Sequence, residues 1–201
     1  MRHACKAYLA GPDVFFPEAI LVGHRKKQIC ARYGLTGLFP FDNEVVPDAA
    51  GERVDALIYR ANVAMIREAD IGIINLTPFR GPSADVGTVF ELGLLVGLGK
   101  AVFGYTNDPA DLLDRVRRST AAVYDPTDGS WRDAFGMKIE DFGNADNLMI
   151  DWALAEQGHP IVRHAARLDD AFHDLSGFEA CVRMVAEQLG IVADGTARHV
   201  G

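Results

Sequence analysis

Cysteine is scarce in this sequence: three residues in 201, at positions 5, 30 and 181, with no CxxC pair. So odd and scattered a set excludes a disulfide framework and a cysteine zinc cluster, and reads as the reduced thiols of a cytoplasmic protein. Of six histidines the nearest couple, His159 and His164, reads as surface residues, so no metal site or other cofactor is expected. Equally missing is any block of lysine and arginine. Twenty basic against 28 acidic side chains leave a formal charge of −8, which argues against a nucleic-acid polymer or an anionic membrane as partner. No uncharged run reaches membrane-spanning length. The N-terminal MRHACKAYLAGPD meets Pro12 and Asp13 before an apolar signal core can form. A small ligand stays open.

What is present is a chain of one-domain length, 49% hydrophobic and 24% charged, enough to bury one full core. One domain is expected over residues 1–192, with a mobile tail from Ala193. The first strand, CKAYLAG, ends at Gly11-Pro12, where glycine lets backbone approach a ligand closely. Asp13, Phe15 and Phe16 follow, then a helix from Pro17 to about Tyr33 whose His24, Arg25, Lys26, Lys27 and Arg32 read as a solvated basic face. A second strand, 35–42, delivers Phe39, Phe41 and Asp42 at its end, and a polar loop with Glu44, Pro47 and Asp48 leads on. The next helix, about Gly51 to Ala69, carries an apolar stripe of Val54, Leu57, Ile58, Ala61, Met65 and Ile66. Asn62 falls on that stripe, as a satisfied core amide or as a holder of a ligand hydroxyl.

A third strand (71–76), a helix from Asp85, a fourth strand (100–105) and a short helix to Arg118 complete four β-α units. That alternation predicts an α/β, doubly wound parallel sheet. Residues 119–144 read as a long loop in which AAVYD is a candidate fifth strand. Helices over 144–156 and 168–189 follow, the last with Phe172, Leu175, Phe178, Val182 and Val185 as its stripe.

The run ADIGIINLTPFRGPSADVGTVFELGLLVGLGK, residues 69–100, organises the rest. From Val86 to Gly99 the helix is apolar nearly all round, which predicts burial, and its one charge is Glu91. A carboxylate there needs a partner or a task. It leans over Thr88 and Gly87, which are small, toward the strand–loop–helix junction where open α/β sheets bind ligands. Asp85 stands at that junction, as helix cap or as a second working carboxylate. The bland alternative pairs Glu91 with Arg80.

YLAGPDVFFP, GLFPFDN, TPFRGPSADVGTVFELG and DFGNADNLMI, in this order and spacing over roughly residues 6–150, resemble the nucleoside 2-deoxyribosyltransferase family. The resemblance implies a flavodoxin-like fold of about five strands with extra C-terminal helices. It implies exchange of 2-deoxyribose between a 2′-deoxyribonucleoside and a free nucleobase. It places the nucleophile on Glu91 and proton transfer to the base on Asp85. It places Gly11, Pro12 and Asp13 in the pocket and Asn62 in the nucleoside site. By their own positions Phe16, Asp42, Phe79, Gly87 and Arg80 join them as candidate substrate-binding residues, Arg80 to orient a base carbonyl or as a solvated loop residue. Asn147, with Asp146 beside it, would reach a neighbouring subunit's sugar 5′-hydroxyl, which implies a homo-oligomer, a dimer or a trimer of dimers. Two departures stand out: Asn62 is an amide and cannot act as an acid, and the chain runs some fifty residues past the segment where shorter members end.

The chemistry is self-consistent. A carboxylate stabilises an oxocarbenium-like transition state and captures C1′, a second group protonates the departing base, and a new base reverses the steps with net retention. Phe15, Phe16, Phe39, Phe41 and Phe79 stand at strand ends where they could wall the site against water. An N-glycosidase is the near alternative, and a non-catalytic nucleotide-binding module the distant one. Asp13 in the first turn would repel a 5′-phosphate, which favours unphosphorylated nucleosides.

Overall fold

The computed structural model describes residues 4–43, 52–167 and 169–191; the expectations for the 44–51 loop and the tail from Ala193 lie outside them. Strands β1 (Cys5–Ala10), β2 (Leu35–Leu38), β3 (Ile71–Asn75) and β4 (Ala101–Thr106) alternate with helices α1 (Ala19–Arg32), α2 (Val54–Glu68) and α3 (Val86–Gly97). After α4 (Leu112–Ser119) come β5 (Ala122–Asp125), β6 (Ser130–Asp133) and β7 (Lys138–Ile139), then α5 (Leu148–Ala155), β8 (Val162–Arg163) and α6 (Ser176–Gln188). The central sheet runs in the order β2-β1-β3-β4-β8 and is parallel throughout. The chain turns one way from β1 to β2 and the other way from β3 onward, so the switch point lies between β1 and β3.

Strand alternation sorts the two faces. Ala7 and Leu9 of β1, Ile73 of β3 and Phe103 and Tyr105 of β4 pack with α1 and α6. Tyr8, Ala10, Ile74 and Val102 point the other way, against α2, α3 and α5.

Several expectations need correction. Residues 119–144 are not a loop: β5, β6 and β7 form an antiparallel meander. AAVYD therefore does not join the parallel sheet, whose fifth place is held by β8, with Tyr105 paired to Val162. The reason is local. Asp125 and Asp128 bond into the intervening turn and Gly129 takes φ 67°, which folds β6 straight back onto β5. The last helix begins at Ser176, whose N–H is taken by Asp174 Oδ1 at 2.8 Å, so Phe172 and Leu175 leave its stripe for the preceding turns.

The central helix is not buried all round either. Val86 is 84% and Phe90 55% exposed, because only one face meets the sheet. On α2 likewise, Val54 and Ile58 are exposed and burial is confined to Met65 and Ile66. Within the basic cluster Lys26 is 1% exposed, not solvated.

Candidate active site

Asp85 caps α3: its Oδ2 accepts from Thr88 N at 2.9 Å and from Thr88 Oγ1 at 3.1 Å. Glu91 follows six residues on, about 9 Å along the axis. Its partner is Tyr8, buried in the middle of β1, whose hydroxyl donates to Glu91 Oε1 at 2.5 Å. That length belongs to charge-assisted O–H···O⁻ bonds. Burial pushes the Glu91 carboxyl up to about 7, the Tyr8 hydrogen bond opposes the rise, and the Asp85 charge adds to it. The same burial, with Glu91 beside it, drives the Tyr8 phenol up as well, so the proton of this pair sits on tyrosine. Tyr8 holds Oε1, and among the described residues Oε2 has no hydrogen-bond partner.

Arg80 does not neutralise Glu91. Its backbone turns left-handed (φ 56°), and its guanidinium lies 5.0 Å from the Phe15 ring centroid and 4.6 Å from that of Phe79. Those rings, from the loops at the carboxyl ends of β1 and β3, stack at 5.3 Å and 11°. Phe16 lies beside them, in contact with Phe172. Phe39 turns inward and is 2% exposed, while Phe41 meets it edge-on.

Behind the switch point a polar network ties the strand ends together. Lys26 Nζ reaches Asp13 Oδ2 at 2.6 Å with both side chains buried, and Asn75 Nδ2 donates to the same oxygen at 3.2 Å. Asn75 Oδ1 accepts from Thr77 N, and Thr77 Oγ1 from Asn107 N. Gly11 is required here because a Cβ would stand 2.4 Å from Asp13 Oδ2 and 2.7 Å from the Asn75 Cβ. The close approach at Gly11 is thus to the protein itself. Asp13 pairs with Lys26, both side chains buried, so its charge is balanced within the protein and does not stand free to repel a 5′-phosphate as the sequence implies. Pro12 is buried beside it.

Asp42 is engaged locally, accepting from Phe39 N at 2.9 Å and pairing with Lys27. Asn62 is half-buried on α2, and Gly87 is exposed on the first turn of α3.

Asn147 caps α5: its Oδ1 accepts from Met149 N at 3.0 Å and its Nδ2 donates to Glu140 Oε1 at 2.6 Å. Glu140 Oε2 takes Leu148 N at 2.8 Å, so one carboxylate fills the anion-binding end of the helix. Asp146, 1% exposed, links the two helix starts by accepting from Ala84 N and from Asn147 N; Arg115 lies 3.7 Å away as counter-ion. A cavity of about 510 Å³ joins Asn147 and Glu140 to Pro82 and Ser83 of the β3–α3 loop. The structure thus brings Asp85 and Glu91 onto one helix beside Tyr8, and groups Phe15, Phe16, Phe79 and Arg80 at the neighbouring loops. Among the described residues no hydrogen bond joins Asn147 to Glu91.

Sequence reasoning missed Tyr8, Lys26, Asn75 and Glu140. Lys26 had a signal, since Ala19, Val22, Gly23, Lys26, Ile29 and Cys30 fall at helical spacing on one buried face. Tyr8 and Asn75 had only strand alternation. Glu140 had none. His159 is half-buried rather than a free surface residue: it stacks on Phe103 at 3.9 Å. Among the described residues no group of three His, Cys, Asp or Glu is placed to hold a metal ion, and no helix is long and apolar enough to cross a membrane.

Three comparisons bear on this geometry. The sequence profile of a family described as nucleoside 2-deoxyribosyltransferase matches residues 7–149. An uncharacterised protein of Schizosaccharomyces pombe is 31% identical over 163 residues, 75% of this chain and 77% of that one. Among solved structures, a 2-desoxiribosyltransferase from Leishmania mexicana superposes with TM-score 0.58 at 26% identity, over 85% of this chain and 96% of that one. A conserved protein of Enterococcus faecalis shares the fold alone, with TM-score 0.51 at 16% identity over 91% of this chain and 99% of that one.

Proposed function

The chain belongs to the nucleoside 2-deoxyribosyltransferase family, and from that premise we propose that it exchanges 2-deoxyribose between a 2′-deoxyribonucleoside and a free nucleobase. The observation that carries the reading is Glu91: a partly buried carboxyl on an apolar helix, pushed up to about 7 and oriented by Tyr8 at 2.5 Å. A binding module gains nothing by keeping such a group.

In the proposed reaction the ionised Glu91 attacks C1′ on the face opposite the base. The C1′–N bond breaks, its electron pair passes to the base nitrogen, and a glycosyl ester forms on Glu91. The base departs with a proton that Asp85 takes up from solvent and passes to it; the hydrogen bonds of Asp85 among the described residues use Oδ2. A second base attacks C1′, gives its proton to Asp85 and releases the Glu91 carboxylate with net retention. The Phe15–Phe79 stack offers a flat apolar face to a planar base, and Arg80 a donor for its carbonyl.

Substrates with a free 5′-hydroxyl are favoured by Glu140. If Asn147 serves the sugar's 5′ end in a neighbouring subunit, a carboxylate 2.6 Å from its amide meets any 5′-phosphate with like charge. Assembly is supported by the apolar side chains that the single chain leaves uncovered on α3 and α5: Val86 and Phe90, and Met149 and Trp152 at 72% and 56% exposure. Light scattering giving the mass of one chain would remove Asn147 from the site. The three unpaired cysteines support a reducing, cytoplasmic setting.

The test is deoxyinosine incubated with adenine, following new nucleoside and free base. Deoxyadenosine is expected from the wild type and none from Glu91→Ala. Base release without new nucleoside would instead make the chain a hydrolase with the same nucleophile.

A further inference from the structure

The family match ends at residue 149, yet the chain beyond it returns to the candidate site. After β8, His164 N continues the pairing to Thr106 O at 2.8 Å. The strap 169–175 that follows is pinned from two sides. Asn107, 4% exposed at the end of β4, donates both its amide hydrogens to it, to Ala171 O at 2.6 Å and Asp174 O at 2.9 Å. His164 Nε2 meets Asp174 Oδ2 at 2.7 Å, and Asp174 Oδ1 holds the start of α6. Between the pinned carbonyls stands Phe172. Its ring lies 5.0 Å from that of Phe16 and meets Phe79 edge-on at 6.1 Å and 87°.

Phe172 thus backs the ring that forms one half of the Phe15–Phe79 stack. Phe172 also lines a cavity of about 460 Å³, together with Thr77, Asn107, Asp108 and Arg118 among others. Prolines and alanines make up most of its lining, and those four side chains give water its polar partners there.

We propose that Phe172 is a positioning residue of the base site: it fixes Phe79 and Phe16 so that the stack receives the incoming base, and it closes the site against the cavity that it also lines. It thereby directs the glycosyl ester to a base rather than to water. With water as acceptor, the water oxygen bonds to C1′ as the C1′–O bond to Glu91 breaks, leaving free deoxyribose, the carboxylate and a proton. The proposal rests on the deoxyribosyl-transfer reading above.

The test compares wild type, Phe172→Ala and Phe172→Leu, each with a melting curve, in the deoxyinosine and adenine assay. For Phe172→Ala we expect the fraction of turnovers ending in hydrolysis, and the KM for adenine, to rise about three- to tenfold, the worth of one aromatic pair. Leucine, which keeps the plug without the ring, should fall between. An unchanged partition and KM in a folded Phe172→Ala overturns the proposal, as does an equal fall of every rate in both variants. Should wild type release no base, the transfer reading has failed, and calorimetry with adenine alone decides the wall. Weaker adenine binding by Phe172→Ala sustains it, whereas equal or absent binding ends it.

Discussion

Replacing Glu91 with glutamine separates what the carboxyl does for the reaction from what it costs the fold. Its displacement from the ordinary 4.5 to about 7 is caused first by burial, so the folded chain favours the protonated form. The interval corresponds to about 3 kcal/mol between the two protonation states. The sign follows from proton uptake. Between pH 4.5 and 7 the folded state holds a proton that the unfolded state has released, so this group's stabilising contribution is full below about 4.5. It is lost as pH rises through about 7. Glutamine carries no charge at any pH and can still accept from Tyr8. After a discount for burying the amide, Glu91→Gln should be more stable than wild type by about 2 kcal/mol above pH 8. For a chain of this length that is a rise of roughly 4–8 °C in melting temperature. The gain should shrink to nearly nothing at pH 4.5. Thermal melts of both proteins in half-unit pH steps make the comparison, with transfer activity expected to be lost at every pH. A pH-independent offset, or a wild type more stable than the variant at pH 8, would refute the burial argument.

Tyr8→Phe removes the hydrogen bond that holds the Glu91 carboxyl down. The acid limb of its kcat/KM profile should therefore move above the wild type's value of about 7, and an unmoved limb would deny the contact. Lys26→Met leaves Asp13 buried beside Asn75 without its cation, and urea unfolding should show a loss of about 3–5 kcal/mol that Asp13→Leu in the same chain largely restores. A loss under about 1 kcal/mol would mean that the pair is not buried as described. Glu140→Gln relieves the charge at the start of α5. Deoxyinosine 5′-monophosphate should gain about fivefold against deoxyinosine in kcat/KM, whereas a purely structural cap would lower the melting temperature and leave that ratio alone.

The parts of this molecule legible in its sequence are those written locally. The β-α alternation, the cap at Asp85 and the isolation of Glu91 on an apolar helix all follow from neighbours within a turn or two. Long-range facts were not legible. Tyr8 meets Glu91 across 83 residues, and nothing in the strand distinguishes that tyrosine from a core aromatic. Residues 119–144 read as a loop because Gly, Asp and aromatics mark turns, while the pairing of β5 with β6 depends on how Asp125 and Asp128 bond around Gly129. The strap near Phe172 read as helix because its apolar spacing continues that of Phe178 and Val182. Asp174 breaks the helix by holding Ser176 and His164, a contact that spacing cannot announce. The apolar outer face of α3 points to a different gap: composition reads as burial all round, whereas only one face of the helix meets the sheet.

The central claim is a covalent bond between Glu91 and C1′. Mixing the protein with deoxyinosine, quenching in acid within milliseconds and mapping the peptides by mass tests it directly. The account predicts a deoxyribosyl increment on the peptide carrying Glu91, discharged by added adenine as deoxyadenosine appears and absent from Glu91→Ala. Turnover with no such adduct at any time, or persisting in Glu91→Ala, would contradict it.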